Sequence, residues 1–592
     1  MLINLSYNPE DLGNFLLKNP SIGNSLPLLD VTGVCQGNYP NCTVARLLKG
    51  AHQTERKALT DLVDTIGELS RVSSMHRALR SYQVNNLPVF WLTGLAQKHD
   101  YYHWGQAVFF LKHLLVDFPD LFASDSKKII IVPNGAGHCA NVIRALFLPR
   151  DKVLISERES PPSLLTILMN LGKFIFNISK YSMKPWRMEK KGIKDPSIIF
   201  VGSLNNKTTS RAFTLANSVS RAAVIPENVY HLSSLAKVAG DLPASFFRCK
   251  PTISQLYLLC QSIFITARNV QKLVPVDADP LITILAKAVR SEMLDVLKYP
   301  SFFLAHQWMQ NYFKTLTGNI KVLYEDELYV FGRVVSSAAK LANNHSMTTY
   351  GMQHGLISEN HTVYRLTAPE LTDMRQGDAL PIPDYFIVWG EVFKNRMLLD
   401  NSLIAKRIFV LGSLSHQIVP QIDHTAVIHS VRFLWCTTVF EYAKLEYEII
   451  KKGIQRLPLW NMTIRLHPLA HISEAKMMKI LDPEMRAKVQ FNNRIELGTQ
   501  ILQHDVVIAS GQSTIFLDAY MAGKTAFRMD LGLCFIDDLD LKEPSLKNIR
   551  TSDDFEFALS KIDRFYQFES KTSTIFNMDE EGWLSLLRTH NS

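Results

Sequence analysis

The sequence predicts a parallel α/β architecture with two doubly wound, Rossmann-like sheets, and three observations carry that expectation. Short apolar runs of strand length recur between stretches of helical period. Most of the runs end in a turn bearing glycine, serine or histidine, as strand–turn–helix units do. At 592 residues the chain also exceeds what one hydrophobic core organises, so two or more domains are expected.

Along the chain, residues 1–86 are polar, mixed and poorly periodic. They are expected to form an N-terminal cap outside the main sheets, with a helix from about Ala51 to Ser70. Residues 87–92 read as the first buried strand, 102–115 as a helix and 128–132 as the next strand. Pro133-Asn134-Gly135-Ala136-Gly137 follows, then a helix, and further strands at 153–155 and 198–201. The stretch 256–316 reads as largely helical, and strands at 321–324, 348–352, 385–389 and 408–411 complete an N-terminal lobe over 87–413. A linker is expected at 414–425, where Pro420 interrupts a segment with little periodicity. The C-terminal lobe, 426–570, begins with a strand at 431–435 and closes with a helix from about Ser552, leaving 571–592 as a tail.

The 47% hydrophobic and 20% charged fractions are those of a globular chain. A net charge of +9 favours anionic partners such as nucleotide phosphates, but no arginine-rich stripe, zinc-finger spacing or aromatic-basic motif argues for nucleic acid. Seven scattered cysteines without a CxxC, and no secretory leader, predict reduced thiols and a cytoplasmic protein. The segment 164–178 is the nearest approach to a spanning helix, but Asn170, Lys173 and Asn177 interrupt it. Lys180, Lys184, Trp186, Arg187, Lys190, Lys191 and Lys194 follow. Such a stretch, 164–194, could lie in a headgroup layer at the inner face of the cell membrane. The plainer reading, and the favoured one, is a core helix with a solvated basic loop.

Two turns in the C-terminal lobe carry the clearest chemistry. Arg465-Leu466-His467-Pro468 and Ser510-Gly511-Gln512-Ser513-Thr514 each follow a short apolar run. In a parallel sheet ligands sit beyond the carboxyl ends of the strands, so both turns should open on one crevice. There His467 offers a hydrogen bond to a phosphate oxygen, and Ser513 and Thr514 stand where the next helix starts, a natural anion site. A plain N-cap is the alternative for the hydroxyls. Thr437 and Thr438 end the strand at 431–435 and belong to the same edge. In the N-terminal lobe Glu325, Asp326, His138, Gln353 and His354 also stand just after strands. Glu325 or Asp326 could serve as a base, or merely form an acidic first helical turn. His467 and His471 have an H-x3-H spacing but no carboxylate to complete a zinc set, so no metal is expected.

At these residues the chain resembles the surface-polysaccharide glycosyltransferases of GT-B architecture. Tyr350-Gly351-Met352-Gln353-His354-Gly355, with Tyr364 downstream, is similar to the QHG segment of capsule and O-antigen biosynthesis proteins, and residues 383–390 to the segment that follows it there. Arg465-Leu466-His467-Pro468 resembles the H-P motif of enzymes using CMP-activated sialic acid or Kdo, and Ser510–Thr514 their serine-rich phosphate motif. The resemblance implies a CMP-sugar donor on the C-terminal lobe, a glycan or lipid-linked glycan acceptor on the N-terminal lobe, and no cofactor. It implies a donor site of Thr437, Thr438, Arg465, His467, Pro468 and Ser510 to Thr514, with Gln353, His354 and His138 lining the cleft. The acidic-acidic-Gly motif of sialyltransferases is missing, which leaves Glu325 or Asp326 as the base. A CDP-glycerol or CDP-ribitol phosphotransferase, a non-catalytic glycan- or nucleotide-binding subunit and a UDP-sugar 2-epimerase are the alternatives.

Overall fold

The computed structural model describes residues 1–6, 9–19, 26–31, 42–45, 48–69, 79–98, 104–122, 128–131, 153–155, 163–182, 196–202, 207–225, 245–274, 280–325, 328–342, 346–357, 361–372, 380–399, 402–414, 430–437, 440–455, 457, 459–467, 473–510, 513–529, 546–549, 551–560 and 579–588. Strands β1 (Leu2–Asn4), β2 (Leu28–Asp30) and β3 (Cys42–Val44) arise early in the chain. A small antiparallel hairpin follows, β4 (Gln83–Val84) and β5 (Leu87–Pro88). Its two connecting residues, Asn85 and Asn86, both have positive φ, the conformation a two-residue turn needs to match strand twist. With β6 (Lys128–Ile131) and β7 (Val153–Ile155) the early strands form a five-stranded parallel sheet, β3-β2-β1-β6-β7.

A second parallel sheet contains β8 (Ile198–Val201), β9 (Ala222–Ile225), β10 (Ile320–Tyr324), β11 (Met347–Met352), β12 (Tyr385–Val388) and β13 (Ile408–Val410), in the order β13-β12-β11-β10-β8-β9. The third comprises β14 (Val431–Cys436), β15 (Trp460–Arg465), β16 (Val489–Phe491), β17 (Val506–Ser510), β18 (Thr525–Met529) and β19 (Leu546–Ile549), in the order β16-β15-β14-β17-β18-β19. Parallel strands are covered by helices on both faces, so successive residues can be buried rather than every second one. Every residue of β8, β9 and β18 is buried accordingly.

The expected C-terminal lobe corresponds to the third sheet, whereas the expected N-terminal lobe divides: its strands at Lys128–Ile131 and Val153–Ile155 belong to the first sheet and those from Ile198 onward to the second. Three further expectations need correction. The segment 1–86 is not a cap outside the sheets, because its first strands pair directly with β6. Residues 87–92 are not a buried strand: only β5 pairs, and Val89–Leu92 forms a buried turn of 3-10 helix. The tail 571–592 is not peripheral either. Its helix Glu580–Leu587 inserts Trp583 and Leu587 into the core of the second sheet beside Leu411 and Tyr350. There Asp579 N–H donates to Leu411 O at 3.0 Å and Lys321 Nζ donates to Arg588 O at 2.9 Å. Gly582 has no room for a side chain, since a Cβ there would stand 2.9 Å from a Leu411 methyl. The expected linker falls mostly outside the described residues.

A buried ionic cluster ties the segment after the hairpin to the unit of the second sheet. Lys98, in a left-handed backbone conformation, donates from Nζ to both carboxylate oxygens of Glu370, at 2.9 and 2.7 Å, and to Arg365 O at 2.7 Å. Thr367 adds its N–H and hydroxyl to Glu370, each at 2.8 Å. Arg333, fully buried nearby, donates to Leu328 O and Trp91 O at 2.7 and 2.6 Å. Burial pulls its guanidinium down to about 10, against the opposing pull of Glu370. Glu370→Gln leaves Lys98 buried without its counter-charge and should destabilise this unit by about 3–5 kcal/mol in urea unfolding. Lys98→Met added to it should recover part of that loss. A single-variant loss under about 1 kcal/mol would show that the pair does not hold the segment.

His306, on the helix Ser301–Phe313, is buried against Ser337 of the helix Val330–Leu341, Nε2 to Oγ at 3.1 Å. Burial depresses its imidazole to about 3, with Lys314 adding repulsion. The unfolded chain takes up a proton near 6.5 that the fold excludes, so stability is complete above that pH and falls below it. The loss should approach ~1.4 kcal/mol per pH unit on the way down to pH 3. His306→Gln should flatten the dependence of the urea midpoint on pH between 4 and 6 by about one proton.

Candidate functional site

Numbered within itself, the third sheet has the strand order 3-2-1-4-5-6, and the order reverses between β14 and β17. Chains leave these two strands toward opposite sides, which opens a crevice at their carboxyl ends. The register fixes what stands there. Cys436 lies opposite both Arg465 of β15 and Ala509 of β17, so Thr437, Leu466 and Ser510 are level at one edge. With ~4.8 Å between neighbouring strands, the turns after β15 and β17 lie ~10 Å apart across β14. The two turns singled out in the sequence therefore open on the same side of the sheet.

Thr437 ties the turn after β15 to the end of β14. Its N–H donates to Arg465 O at 3.0 Å, and its hydroxyl oxygen accepts from His467 N–H at 3.2 Å. Asn493 clamps the same turn, accepting from Leu466 N–H and donating to Leu466 O, both at 3.0 Å. His467 is half-buried, and burial lowers its pKa below the usual imidazole range. The ring is thus neutral near pH 7 and acts as a hydrogen-bond donor or acceptor rather than a cation. On the other side of β14, Ser513 Oγ accepts from Ile515 N–H at 3.2 Å, and Thr514 precedes the short helix Ile515–Met521 without a side-chain cap bond. Thr514 is half-buried beside the strand ends.

Arg465 behaves differently from the phosphate ligand its position suggested. Its Nη1 donates to Ile495 O at 2.7 Å and to the buried Gln500 Oε1 at 2.6 Å, which fixes the strand end to the loop after β16. Gln500 in turn donates to Asn492 O at 2.8 Å. Sequence inspection passed over Arg528. It is buried at the end of β18, opposite Ala509, with its guanidinium over the Phe516 ring and Nε donating to Asn548 at 2.8 Å. An arginine closing an otherwise apolar strand was the available signal. Thr438, Pro468, Gly511 and Gln512 lie outside the described residues, as does the Ser510 side chain.

The second sheet reverses its order between β8 and β10. Glu325 stands directly beyond β10 and accepts a hydrogen bond from Thr209 Oγ1 at 3.1 Å, across that reversal. The following helix begins only at Val330, so Glu325 is a strand-end residue and not part of an acidic first turn. Gln353, expected to line a cleft, is instead buried. Its amide carbonyl accepts from Trp389 N–H at 2.9 Å and its amide nitrogen donates to Gly355 O at 2.8 Å, so it staples β11 to β12. His354 is half-buried, its ring edge-on to Tyr329 at 5.6 Å. The Tyr329 hydroxyl meets His361 Nε2, and His361 Nδ1 bonds Leu356 O at 2.9 Å. Because a carbonyl only accepts, Nδ1 carries the proton and Tyr329 donates to Nε2. Asp326 and His138 lie outside the described residues. Among the described residues no group of three or more His, Cys, Asp or Glu could hold a metal ion.

No protein-family model and no curated protein matches the sequence. Among solved structures, the chain is similar to the UDP-GlcNAc 2-epimerase from Neisseria meningitidis bound to UDP-GlcNAc. Identity is 10%, coverage 67% of this chain and 100% of that one, and the TM-score 0.40. It is also similar to the UDP-GlcNAc 2-epimerase of Methanocaldococcus jannaschii, at 12% identity, 67% and 99% coverage and a TM-score of 0.38. A third is the lipopolysaccharide outer core galactosyltransferase WaaB, at 14% identity, 67% and 99% coverage and a TM-score of 0.36. Likeness of this degree carries no argument about chemistry, and the parallel α/β fold rests on the strand pairing itself.

Thr437→Val removes the acceptor of the His467 N–H and should cost about 1–3 kcal/mol. Urea unfolding checks the cost, and a loss within error would mean that the turn after β15 is held elsewhere.

Proposed function

We propose that the chain is a glycosyltransferase of surface-polysaccharide synthesis with a GT-B arrangement, taking its donor nucleotide at the edge of the third sheet. The observation that carries this reading is the convergence of three turns, after β14, β15 and β17, at the reversal point of that sheet. They bring a neutral imidazole and several hydroxyls to one place, which suits the phosphate of a nucleotide-sugar.

His467 donates its ring N–H to a phosphate oxygen of the donor, with Thr437, Ser513 and Thr514 around it. An acceptor hydroxyl attacks the anomeric carbon, and the bond from that carbon to the phosphate oxygen breaks. The electron pair leaves with the phosphate, whose growing charge the imidazole N–H stabilises. The hydroxyl proton passes to Glu325, held ready by Thr209. Arg465 shapes the turn instead of gripping the anion. A CMP-activated 3-deoxy-ulosonic acid, Kdo or a sialic-acid relative, is the favoured donor, on the resemblance of the His467 turn to the H-P motif. The acceptor is a glycan or lipid-linked glycan.

Thermal protection by CMP, CDP and UDP identifies the base, since a ligand selective for the fold stabilises with the logarithm of its saturation. Turnover of CMP-Kdo, CMP-sialic acids, CDP-glycerol and UDP-sugars then separates glycosyl transfer from polyol-phosphate transfer and from epimerisation of UDP-GlcNAc. His467→Ala should lower turnover by about 10²-fold with the fold intact. An unchanged rate removes His467 from the mechanism, and protection by no nucleotide overturns the reading.

A further inference from the structure

The helix Leu164–Ser182 is apolar on both of its sides, and only one of them is covered. Ile167 and Leu171 are buried, and Leu164 and Phe174 pack partly against the same core. These four recur at the spacing of one helical stripe. The opposite stripe contains Leu165, Leu168, Met169 and Phe176, with Ile175 at its flank, and all five are exposed. Leu165 and Phe176 each keep 67% of their surface in solvent and Met169 keeps 56%. The helix Ile253–Lys272, which packs beside this one, carries exposed Ile253, Tyr257, Leu258 and Ile265. A core helix would not present such a stripe to water, so the core-helix expectation for this segment does not hold.

Charge selects the occupant. Between Ser163 and Lys194 the sequence has seven lysines and arginines and one acid, Glu189. That is a net +6 in a short segment, out of +9 for the whole chain. A protein partner covering the stripe would need no such concentration of cations, whereas an anionic lipid surface offers both the apolar layer and the negative headgroups. No described helix is long and apolar enough to cross a membrane, so this contact lies on the surface.

We propose that the exposed stripe of Leu164–Ser182 is a membrane-docking face, which seats Leu165, Leu168, Met169 and Phe176 among acyl chains of an anionic leaflet. The proposal does not depend on the donor or on the reaction. It is tested by sedimenting the full chain with vesicles of phosphatidylcholine alone and with about one third phosphatidylglycerol. Binding to the anionic vesicles should be at least about tenfold tighter, and should weaken as salt is raised. Leu168→Glu with Phe176→Glu should reduce it about tenfold or more. Because both residues are exposed, the melting temperature should stay unchanged. A second variant, Lys190→Glu with Lys191→Glu, should abolish the preference for anionic lipid while leaving the sequence of the helix unchanged. Equal binding to both vesicle types, binding to neither, or a dimer dissolved by the Leu168→Glu/Phe176→Glu variant would each overturn the proposal.

Discussion

Every strand in the three large sheets runs parallel to its neighbours, and that single constraint governs where chemistry can occur. Parallel pairing demands a crossover after each strand, so helices cover both faces and leave only the edges open. All carboxyl ends then point the same way within a sheet. The backbone N–H of His467 and the hydroxyl of Thr437 are brought within hydrogen-bond reach by the pairing of β14 with β15.

Against this apolar background the Lys98, Glu370 and Arg333 cluster is an exception that needs explaining. Taking three charges out of water is costly, and well-packed apolar residues would often serve stability as well. What such a cluster adds is direction. Lys98 and Glu370 can satisfy one another only when the segment after the hairpin meets the segment around Thr367 in one orientation. Arg333 reaches back to the carbonyl of Trp91, so the buried turn at Val89–Leu92 is located by the same cations.

The sequence was most legible where burial is two-sided. β17 is a continuous apolar run ending abruptly in a polar turn, and the apolar stretches that close β10 and β14 end the same way, so the positions of all three follow almost directly. The three-residue strands β1 to β3 left no comparable trace, since so short a run in a polar segment has no periodicity to detect. The run at 87–92 misled for the opposite reason: apolar content reports burial, and the 3-10 turn is buried without being paired. At the site, position was readable but direction was not. Gln353 and Arg465 stand at strand ends as expected, yet their side chains turn back to satisfy backbone carbonyls and amides. Helix Leu164–Ser182 was ambiguous because lipid and protein interior select the same residues.

The return of the closing helix to the second lobe has a consequence for how the molecule is made. Trp583 and Leu587 complete a core whose strands lie as much as nearly four hundred positions earlier, and the whole third sheet is synthesised in between. While the ribosome is still translating, the middle of the protein exposes a greasy seam around Leu411 and Tyr350 that nothing yet covers. The third sheet, by contrast, can finish without waiting for the final residues. The core of the second sheet is therefore completed only after the whole third sheet has been made.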